Sequence, residues 1–520
     1  MTLLATVVAT SRQVAETRAR SAKIRLLADC LRLLGPDELD VAVTWLSGEI
    51  RQGRIGIGPS ALRANVVEAA HVPTLQLGEV ETMLEELAAI RGGGSTARRA
   101  AALQALFGRA TRDEQQFLLR LLVGELRQGA LAGVMIEAIA AITDVPLADV
   151  RRAAMFESRL GTIARMGREF GAAGLQKFQL EVMSPIAPML AQVAGDVDEA
   201  LEALAGDVAF EWKMDGARIQ VHKRGAEVRI FTRGLNDVTD AIPEIAAAAR
   251  TLPAEQLVLD GEAIAFTAAG RPHAFQTTMR RFGRRLDVEA LRAELPMRAY
   301  YFDCLRRDDV SYAEKPARER FAALAEVVPP DQVIPRLVTR SGKDAAAFYD
   351  AAISAGHEGL MAKSLDSPYE AGNRGASWLK IKRAHTLDLV VLAAEWGHGR
   401  RTGQLSNLHL GARDPLSGDY VMLGKTFKGL TDEMLQWQTR EFLAREDHRD
   451  EWTVYLRPEI VVEIAFSDLQ ASPRYPGGLA LRLARVKRHR PDKSVADADT
   501  METVRRIFAA QSGTEERDDA

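Results

Sequence analysis

The chain has 520 residues, of which 47% are hydrophobic and 27% charged, and its formal net charge is −3. This length exceeds what one hydrophobic core can organise and predicts about three domains. The near-neutral balance excludes a surface that is basic throughout, so any contact with nucleic acid must come from local clusters of basic residues.

Three features favour a cytoplasmic protein. No apolar run approaches the ~20 residues that a transmembrane helix needs, and residues 1–12 lack the basic flank and apolar core of a secretory signal. The only cysteines are Cys30 and Cys304. Two cysteines cannot build a disulfide framework or a four-cysteine zinc site, so a reducing compartment fits.

Residues 1–185 are predicted to form an all-α domain. Apolar residues recur at three- and four-residue spacing over 117–126, and Thr111 and Glu114 form the pattern of a capping box just before that run. The segment GEIRQG at 48–53 returns as GELRQG at 124–129. Each copy is predicted to end a helix with a basic residue and a glycine, so we expect two related helical halves.

A glycine-rich loop is the best candidate in this region for binding DNA phosphates. Residues 91–96 read RGGGST and are followed by Arg98 and Arg99. Glycines let a backbone approach an anion closely, and the start of the next helix presents unpaired amides. The alternative is a flexible connection between two helices.

Residues 186–385 are predicted to form an α+β domain with largely antiparallel sheets. A proline-marked segment at 184–191 is expected to be an extended linker that leads into it. Beyond this linker, short alternating strands are mixed with helices predicted over 243–250 and 316–327.

Residues 386–510 are predicted to form a β barrel of the OB type, a fold that often holds nucleic acid. The predicted helix covers 432–444, and the predicted strands are 387–394, 404–412, 420–425, 459–467 and 481–488. The letters LGKT at 423–426 look like the end of a P-loop, but position 419 is Asp where that motif requires Gly. We therefore interpret them as a barrel element. Residues 511–520 are polar and predicted to be a disordered tail.

The stretch 211–218, EWKMDGAR, is the strongest candidate for chemistry. Its surroundings predict a strand, a tight turn at Asp215 and Gly216, and a second strand. The turn would present Lys213, Asp215 and Arg218 together. A lysine can act as a covalent nucleophile where burial or neighbouring cations lower its pKa. The alternative is a hairpin with an exposed lysine.

Five more segments follow in a fixed order. They are TRG at 232–234, LDGE at 259–262, YFD at 301–303, EGLMAK at 358–363 and WLKIK at 378–382. Together with 211–218, this ordered set resembles the covalent nucleotidyltransferases, and specifically the ATP-dependent DNA ligases. The resemblance extends over nearly the whole chain.

The resemblance implies a role toward ATP for each matching residue. Lys213 would attack the α-phosphorus of ATP, release pyrophosphate and hold AMP as a phosphoramidate. The other residues expected at the nucleotide are Glu211 at the adenine edge, Phe302 stacked on adenine, Arg218 and Arg233 at the ribose and phosphates, and Arg374. Glu262, near the ribose, and Glu358 would also bind Mg²⁺, because this hard cation prefers oxygen ligands.

Lys380 and Lys382 lie on one face of a predicted strand, because residues two apart in a strand point the same way. Beside a nucleotide, both would neutralise charge on the α-phosphate and help to lower the pKa of Lys213. The alternative is a solvated strand face.

The basic run at 482–493 resembles the last motif of the family. In that interpretation Arg482, Arg485 and Lys487 contact the departing pyrophosphate while the barrel is closed over the active site. The alternative is a run of charges that faces solvent or DNA.

The implied function is an enzyme that seals nicks in double-stranded DNA as a monomer, with ATP and Mg²⁺ as cofactors and replication or repair proteins as candidate partners. An RNA ligase and a GTP-dependent capping enzyme are alternatives, although neither needs a long helical clamp on a duplex. NAD as the donor is disfavoured because two cysteines cannot build the zinc element of that class. A non-catalytic DNA-binding scaffold predicts loss of Lys213, Glu262 or Lys380, and all three are present.

Overall fold

The computed structural model describes residues 2–512 except 54, 127, 129–131, 269, 274, 284–287 and 383–384. The described chain has a helical amino-terminal region, a central region with two five-stranded sheets, and a sheet-rich carboxyl-terminal region. This order agrees with the predicted multidomain organisation. Among the described helices, none is both long enough and apolar enough to span a bilayer.

The amino-terminal region packs its helices around an apolar core that includes the fully buried Trp45 and Phe107. The predicted capping box is confirmed, because Thr111 Oγ1 accepts the Glu114 N–H while the Glu114 carboxylate accepts the Thr111 N–H at 2.8 Å. The helices are α1 (Leu4–Glu16), α2 (Arg20–Arg32), α3 (Pro36–Leu46), α4 (Pro59–Ala64), α5 (Leu77–Ala89), α6 (Ser95–Arg109), α7 (Arg112–Val123), α8 (Ala132–Thr143), α9 (Leu147–Phe156) and α10 (Leu160–Leu175).

The helix that precedes each repeated segment ends next to the first glycine of that segment. α3 ends at Leu46 and α7 at Val123, and the glycines that follow, Gly48 and Gly124, have φ angles of 88° and 74°. Glycine adopts this left-handed conformation without a steric penalty and so closes a helix. The last glycine of the second segment, at 129, lies outside the described residues.

The central region contains sheet A, in the order β1-β10-β9-β2-β8, and sheet B, in the order β4-β3-β5-β6-β7. Every pairing is antiparallel except that of β1 with β10. The elements are β1 (Gln192–Ala194), α11 (Val197–Leu204), β2 (Val208–Lys213), β3 (Ala217–Arg224), β4 (Glu227–Thr232), α12 (Pro243–Arg250), β5 (Gln256–Ala265), α13 (Phe275–Gly283), α14 (Val288–Glu294), β6 (Met297–Arg307), β7 (Val310–Ser311), α15 (Ala317–Val327), β8 (Arg336–Thr339), α16 (Gly342–Ser354), β9 (Gly359–Ser364) and β10 (Trp378–Lys382). The predicted α+β character is confirmed.

The two strands predicted around 211–218 are present as β2 and β3, but they do not pair with each other, so the alternative of a hairpin is wrong. β2 pairs with β8 and β9 in sheet A, whereas β3 pairs with β4 and β5 in sheet B, so the chain crosses between sheets at Asp215 and Gly216. A Cβ atom on Gly216 would lie 2.4 Å from the carbonyl oxygen of Ala263. Glycine is therefore required here by the close approach of two backbones rather than by a tight turn.

The carboxyl-terminal region has a seven-stranded sheet in the order β13-β12-β11-β15-β14, in which β16 pairs with β11 and β19, and a separate pair β17-β18. Its elements are β11 (His385–Trp396), β12 (Leu405–Arg413), β13 (Tyr420–Thr426), α17 (Asp432–Ala444), β14 (Glu446–Arg449), β15 (Thr453–Leu456), β16 (Val461–Phe466), β17 (Asp468–Ala471), β18 (Leu479–Arg482), β19 (Arg485–His489) and α18 (Met501–Ser512). Strand pairing among the described residues does not form a closed ring, so the OB barrel stays a prediction.

Three details of this region differ from or refine the predictions. The strand predicted at 481–488 is two strands, because Leu483 between them has a φ of 56°, which a continuous strand cannot accommodate. The P-loop look-alike at 423–426 belongs to β13, as interpreted. α18 reaches Ser512, beyond the predicted start of the tail, and residues 513–520 lie outside the described chain.

Candidate active site

A cleft of about 470 Å³ is lined by residues of both central sheets. Sheet A contributes β2, β9 and β10, and sheet B contributes β3, β5 and β6. The structure brings together in this cleft most of the residues singled out from the sequence: Glu211, Lys213, Arg218, Arg233, Glu262, Phe302, Glu358, Arg374, Lys380, Lys382 and Arg482. Arg98, Arg99, Arg485 and Lys487 lie elsewhere.

The half-buried Lys213 ends β2 opposite Gly359 of β9, and the backbone N–H of Glu358 donates to the Lys213 carbonyl at 3.0 Å. This pairing places the Glu358 carboxylate against the Lys213 amine, where the two form an ion pair that Lys382 joins. Burial by itself would lower the pKa of Lys213, but Glu358, Glu262 and Asp215 together raise it. The predicted lowering of this pKa is therefore wrong.

Three carboxylates lie around the Lys213 amine. Burial raises the pKa of Glu262 to about 8 against the effect of Lys213 and Arg218, and burial together with nearby Glu358 raises the pKa of Asp215 to about 7. Burial would also raise the pKa of Glu358, but Lys213 and Lys382 bring it down to about 2. Because burial is the largest cause of the shifts at Glu262 and Asp215, both carboxyls bind a proton more readily here than they would in water.

Two of these carboxyl groups suit a magnesium ion. Within the described chain, no group of three or more His, Cys, Asp or Glu side chains is placed to hold a metal by itself. Magnesium typically binds one or two carboxylates and takes its other oxygens from water and substrate phosphates. Glu262 and Glu358 suit that arrangement.

The pKa of Lys380, another amine of the cleft, is lowered. Burial and then the neighbouring cations Lys382, Arg374 and Lys213 disfavour its charged form. Lys380 and Lys382 alternate with the buried Leu379 and Ile381 along β10, as predicted from their spacing. Both ammonium groups consequently reach the same wall of the cleft.

Arg218 is held by a network that sequence reasoning missed. Its guanidinium contacts both oxygens of Asp260, at 3.1 and 2.6 Å, the carbonyl of Met189 at 2.6 Å and the Tyr369 hydroxyl at 3.1 Å. Tyr369 in turn donates to Asp260 at 2.7 Å. Asp260 could have been found from its place beside Glu262 in the LDGE segment, whereas Tyr369 is in none of the six segments.

Aromatic and charged side chains lie together beside Arg218, whose guanidinium is 5.4 Å from the ring centroid of Phe302. Phe302 meets Trp378 edge-on, with ring centroids 6.1 Å apart. Glu211 is buried beside them and forms ion pairs with Arg336 and Lys363, each at 2.6 Å. Sequence reasoning missed the roles of these two cations, since Lys363 ends a recognised segment but Arg336 belongs to none.

Basic residues form the rim of the cleft. Arg233 and Arg374 are exposed there. Arg482 reaches it from β18, 4.0 Å from Asp215, 3.5 Å from Asp468 and with its guanidinium 4.7 Å from the ring centroid of Phe275. Contact between the carboxyl-terminal region and the active-site turn is thus made by Arg482.

The remaining basic candidates lie outside the cleft. Arg485 and Lys487 are exposed on β19. In the amino-terminal region, Arg98 donates to the carbonyls of Arg91 and Gly93 at 2.7 and 3.3 Å. Arg98 therefore holds the glycine-rich loop, whereas Arg99 donates to the carbonyls of Ile90 and Gly56, at 2.7 and 3.3 Å, outside that loop. Their contact with DNA stays a prediction.

Comparisons with known proteins identify the family. Residues 188–382 match the model of the ATP dependent DNA ligase domain, 401–493 the ATP dependent DNA ligase C terminal region, and 68–140 the DNA ligase N terminus. A protein of Anaeromyxobacter sp. (strain Fw109-5) named "Probable DNA ligase" is 57% identical over 515 residues, covering 98% of this chain and 99% of the relative. Another of the same name, from Mycolicibacterium gilvum (strain PYR-GCK), is 54% identical, covering 97% and 99%.

A solved structure named Pmar-Lig_PreS3 has the same fold, with a TM-score of 0.62 and 18% identity over 93% of this chain and 99% of its own. The resemblance seen in the ordered segments is therefore confirmed over the whole length. This chain belongs to the ATP-dependent DNA ligases.

Proposed function

We propose that this ligase seals nicks in duplex DNA by carrying AMP on Lys213. In the first step, the Nζ lone pair forms a bond to the α-phosphorus of ATP while the bond to pyrophosphate breaks. AMP then passes to the 5′-phosphate of the nick, and the 3′-hydroxyl attacks that phosphate and releases AMP. The observation that carries the proposal is the position of the Lys213 amine in one cleft with Glu262, Glu358 and Lys380.

The ion pair with Glu358 defines what must change before Lys213 can attack. As an ammonium group, Lys213 has no lone pair, so it must lose a proton, and Glu358 is the carboxylate in contact with it. Glu262 and Glu358 would hold a magnesium ion, which supplies positive charge that competes with Lys213 for these carboxylates and offsets phosphate charge. The remaining cations of the cleft, Lys380, Lys382 and Arg374, lie where the phosphates must enter.

The nucleotide is proposed to lie along the cleft with its base toward Phe302 and Glu211. Phe302 would stack on adenine, and Glu211 would accept from its edge. Arg218 and Arg233 would face the ribose and phosphates, with Arg482 at the pyrophosphate. Arg218 also donates to Asp260, so its guanidinium is already held in place before ATP binds.

The rest of the chain is proposed to hold the duplex around the nick. The helical domain, 1–185, would bind the DNA backbone through residues such as Arg98 and Arg99, and an OB domain, 386–510, would close on the nick from the other side of the adenylation domain, 186–385. The enzyme is proposed to act as a cytoplasmic monomer. Because these contacts are to the DNA backbone, binding would not depend on the base sequence.

Labelling with ATP that carries ³²P at the α-phosphate tests the proposal. Wild-type protein should retain the label, Lys213→Ala should not, and Lys343→Ala, which changes an exposed lysine on α16, should behave as wild type. Label on Lys213→Ala would overturn the mechanism. Label from GTP but not ATP would favour a capping enzyme, and DNA binding without any label would favour a scaffold.

Sealing assays separate the remaining alternative. The wild-type protein should join a nicked DNA duplex in the presence of ATP and magnesium, and Lys213→Ala should not. Joining of RNA strands without joining of the nicked DNA would indicate an RNA ligase instead.

A further inference from the structure

A buried group of charges lies beside the aromatic side chains of the cleft. The side chain of Glu211 is 1% exposed, and its two oxygens contact different cations. Oε1 accepts a hydrogen bond from Arg336 Nε at 2.8 Å and also lies 2.6 Å from Nη2, while Oε2 lies 2.6 Å from Lys363 Nζ. Both cations come from strands that flank β2 in sheet A, Arg336 from β8 and Lys363 from β9.

Aromatic rings and a backbone carbonyl hold the two cations in place. Lys363 Nζ lies 4.4 Å from the ring centroid of Phe302 and 4.2 Å from that of Trp378. The Arg336 guanidinium lies 3.4 Å from the ring centroid of Phe321 and donates to the Phe302 carbonyl at 3.0 Å. Arg336 thereby joins Glu211 to the strand that carries Phe302, although it does not itself line the cleft.

The pairing of Glu211 with Arg336 and Lys363 determines which kind of hydrogen-bonding group it can still bind. A buried carboxylate is stable only when it is paired, and here two basic side chains face one carboxylate. A carboxylate only accepts hydrogen bonds, and Oε2, which faces Lys363, keeps a second lone pair. Glu211 lines the cleft, so this lone pair is available to a donor on the base. Adenine presents such a donor, the amino group at position 6.

We propose that Arg336, together with Lys363, is a positioning residue that fixes Glu211 as an acceptor for the 6-amino group of adenine and so sets the preference for ATP. The inference rests on the proposed function of the cleft. It assigns base selection to a residue that does not contact the nucleotide, through a forked contact that lysine cannot reproduce.

The test compares ATP with purine riboside triphosphate, which has hydrogen in place of the 6-amino group. Initial rates of Lys213 labelling at low nucleotide concentration give kcat/KM for each nucleotide with full-length protein and magnesium. We expect wild type to prefer ATP by roughly tenfold or more, the effect of one hydrogen bond to a charged group. In Arg336→Gln this ratio should fall toward one, because the rate with ATP drops while the rate with the analogue changes little.

Arg340→Gln is the matched control, because Arg340 follows the same strand but pairs with Asp207 at the surface and should keep the wild-type ratio. If Arg336→Gln does not fold, Arg336→Lys replaces it and should also show a reduced ratio. An unchanged ratio in a folded Arg336 variant, including a parallel loss of both rates, overturns the inference. Failure of wild type to take label from ATP would instead overturn the proposed function.

Discussion

Lys213 and Lys380 share one cleft but have opposite pKa shifts. The difference comes from their immediate neighbours, since Lys213 lies against Glu358, whereas Lys380 faces Lys382 and Arg374. At neutral pH the proposed nucleophile is thus held as an ammonium group, and the neighbouring amine gives up its proton more readily. Activation of Lys213 therefore requires a change in its surroundings, which nucleotide and metal would supply.

Chemical labelling of the nucleotide-free protein checks this difference. Acetic anhydride reacts with free amines but not with ammonium groups, so at pH 8 we expect Lys380 to be acetylated before Lys213. Competitive labelling followed by peptide mass spectrometry measures both rates in one sample. Because the pKa of Lys213 is raised, its labelling should increase only at higher pH. Faster labelling of Lys213 than of Lys380 would contradict the assignment.

The crossing between β2 and β3 is the element that builds the cleft. β2 carries Lys213 in sheet A, and β3 carries Arg218 in sheet B, so the two walls are joined by only the few residues between them. The approach of Gly216 to the Ala263 carbonyl brings the sheets into contact at this point.

Gly216→Ala should disturb both folding and chemistry. Its Cβ would overlap a backbone oxygen that cannot move without shifting β5, and such overpacking costs about 1–3 kcal/mol. We expect a lower Tm and slower labelling of Lys213. Gly78→Ala, at a helical position with open space around it, should leave both unchanged or raise the Tm. A Gly216→Ala protein with wild-type Tm would show that the two sheets can move apart at this crossing without a loss of stability.

β3 also anchors the segment that connects the helical and central regions. His222 is fully buried, its Nδ1 accepts the Met183 N–H at 3.0 Å, and its Nε2 lies 2.8 Å from Gln220 Oε1. Gln220 in turn bonds both the N–H and the carbonyl of Ile186. The proline-marked linker and the residue before it are therefore hydrogen-bonded to sheet B through the neutral side chains of His222 and Gln220.

This anchor makes stability depend on pH. Burial lowers the pKa of His222 to about 3, so between pH ~6.5 and that value the unfolded chain binds a proton that the folded chain does not. The stabilisation by neutral His222 is fully present above pH ~6.5. Below that, the free energy of unfolding decreases with the pH, by about 2 kcal/mol at pH 5. We expect the difference in unfolding free energy between wild type and His222→Asn to shrink from pH 7.5 to pH 5. A difference that is the same at both pH values would contradict this assignment.

At the scale of the whole molecule, Arg482 connects the carboxyl-terminal region to the active site. It lies between Asp215 and Asp468 at the rim of the cleft, beside the ring of Phe275. Gln276 and Gln470 add a second contact between the same regions, at 3.2 Å. The carboxyl-terminal region therefore lies against the proposed nucleotide cleft in the described arrangement.

Arg482→Ala should separate the steps of ligation. If Arg482 contacts pyrophosphate only in the closed arrangement, its loss should slow Lys213 labelling by roughly tenfold or more, the effect of one charge-assisted contact. Joining of a nick that already carries AMP on its 5′-phosphate should be affected much less. Arg440→Ala, which removes an exposed charge on α17, is the control and should keep the labelling rate. Equal loss in both assays would place Arg482 in a later step.

Local sequence determined a large part of this protein. The capping box at Thr111, the helices at 243–250 and 432–444 and the alternation along β10 all follow from interactions within a few residues, and all were predictable. The ordered segments are also sufficient by themselves to identify the family, because covalent nucleotide transfer needs a particular set of side chains.

Tertiary structure alone decided how those side chains act on one another. Arg336 and Glu211 are 125 residues apart in sequence, and the partners of β2 and β3 come from distant strands, so no local pattern could reveal either. The pKa of Lys213 was predicted with the wrong sign for the same reason. A pKa depends on the distances to surrounding charges and on burial, and both are set only when the two sheets meet.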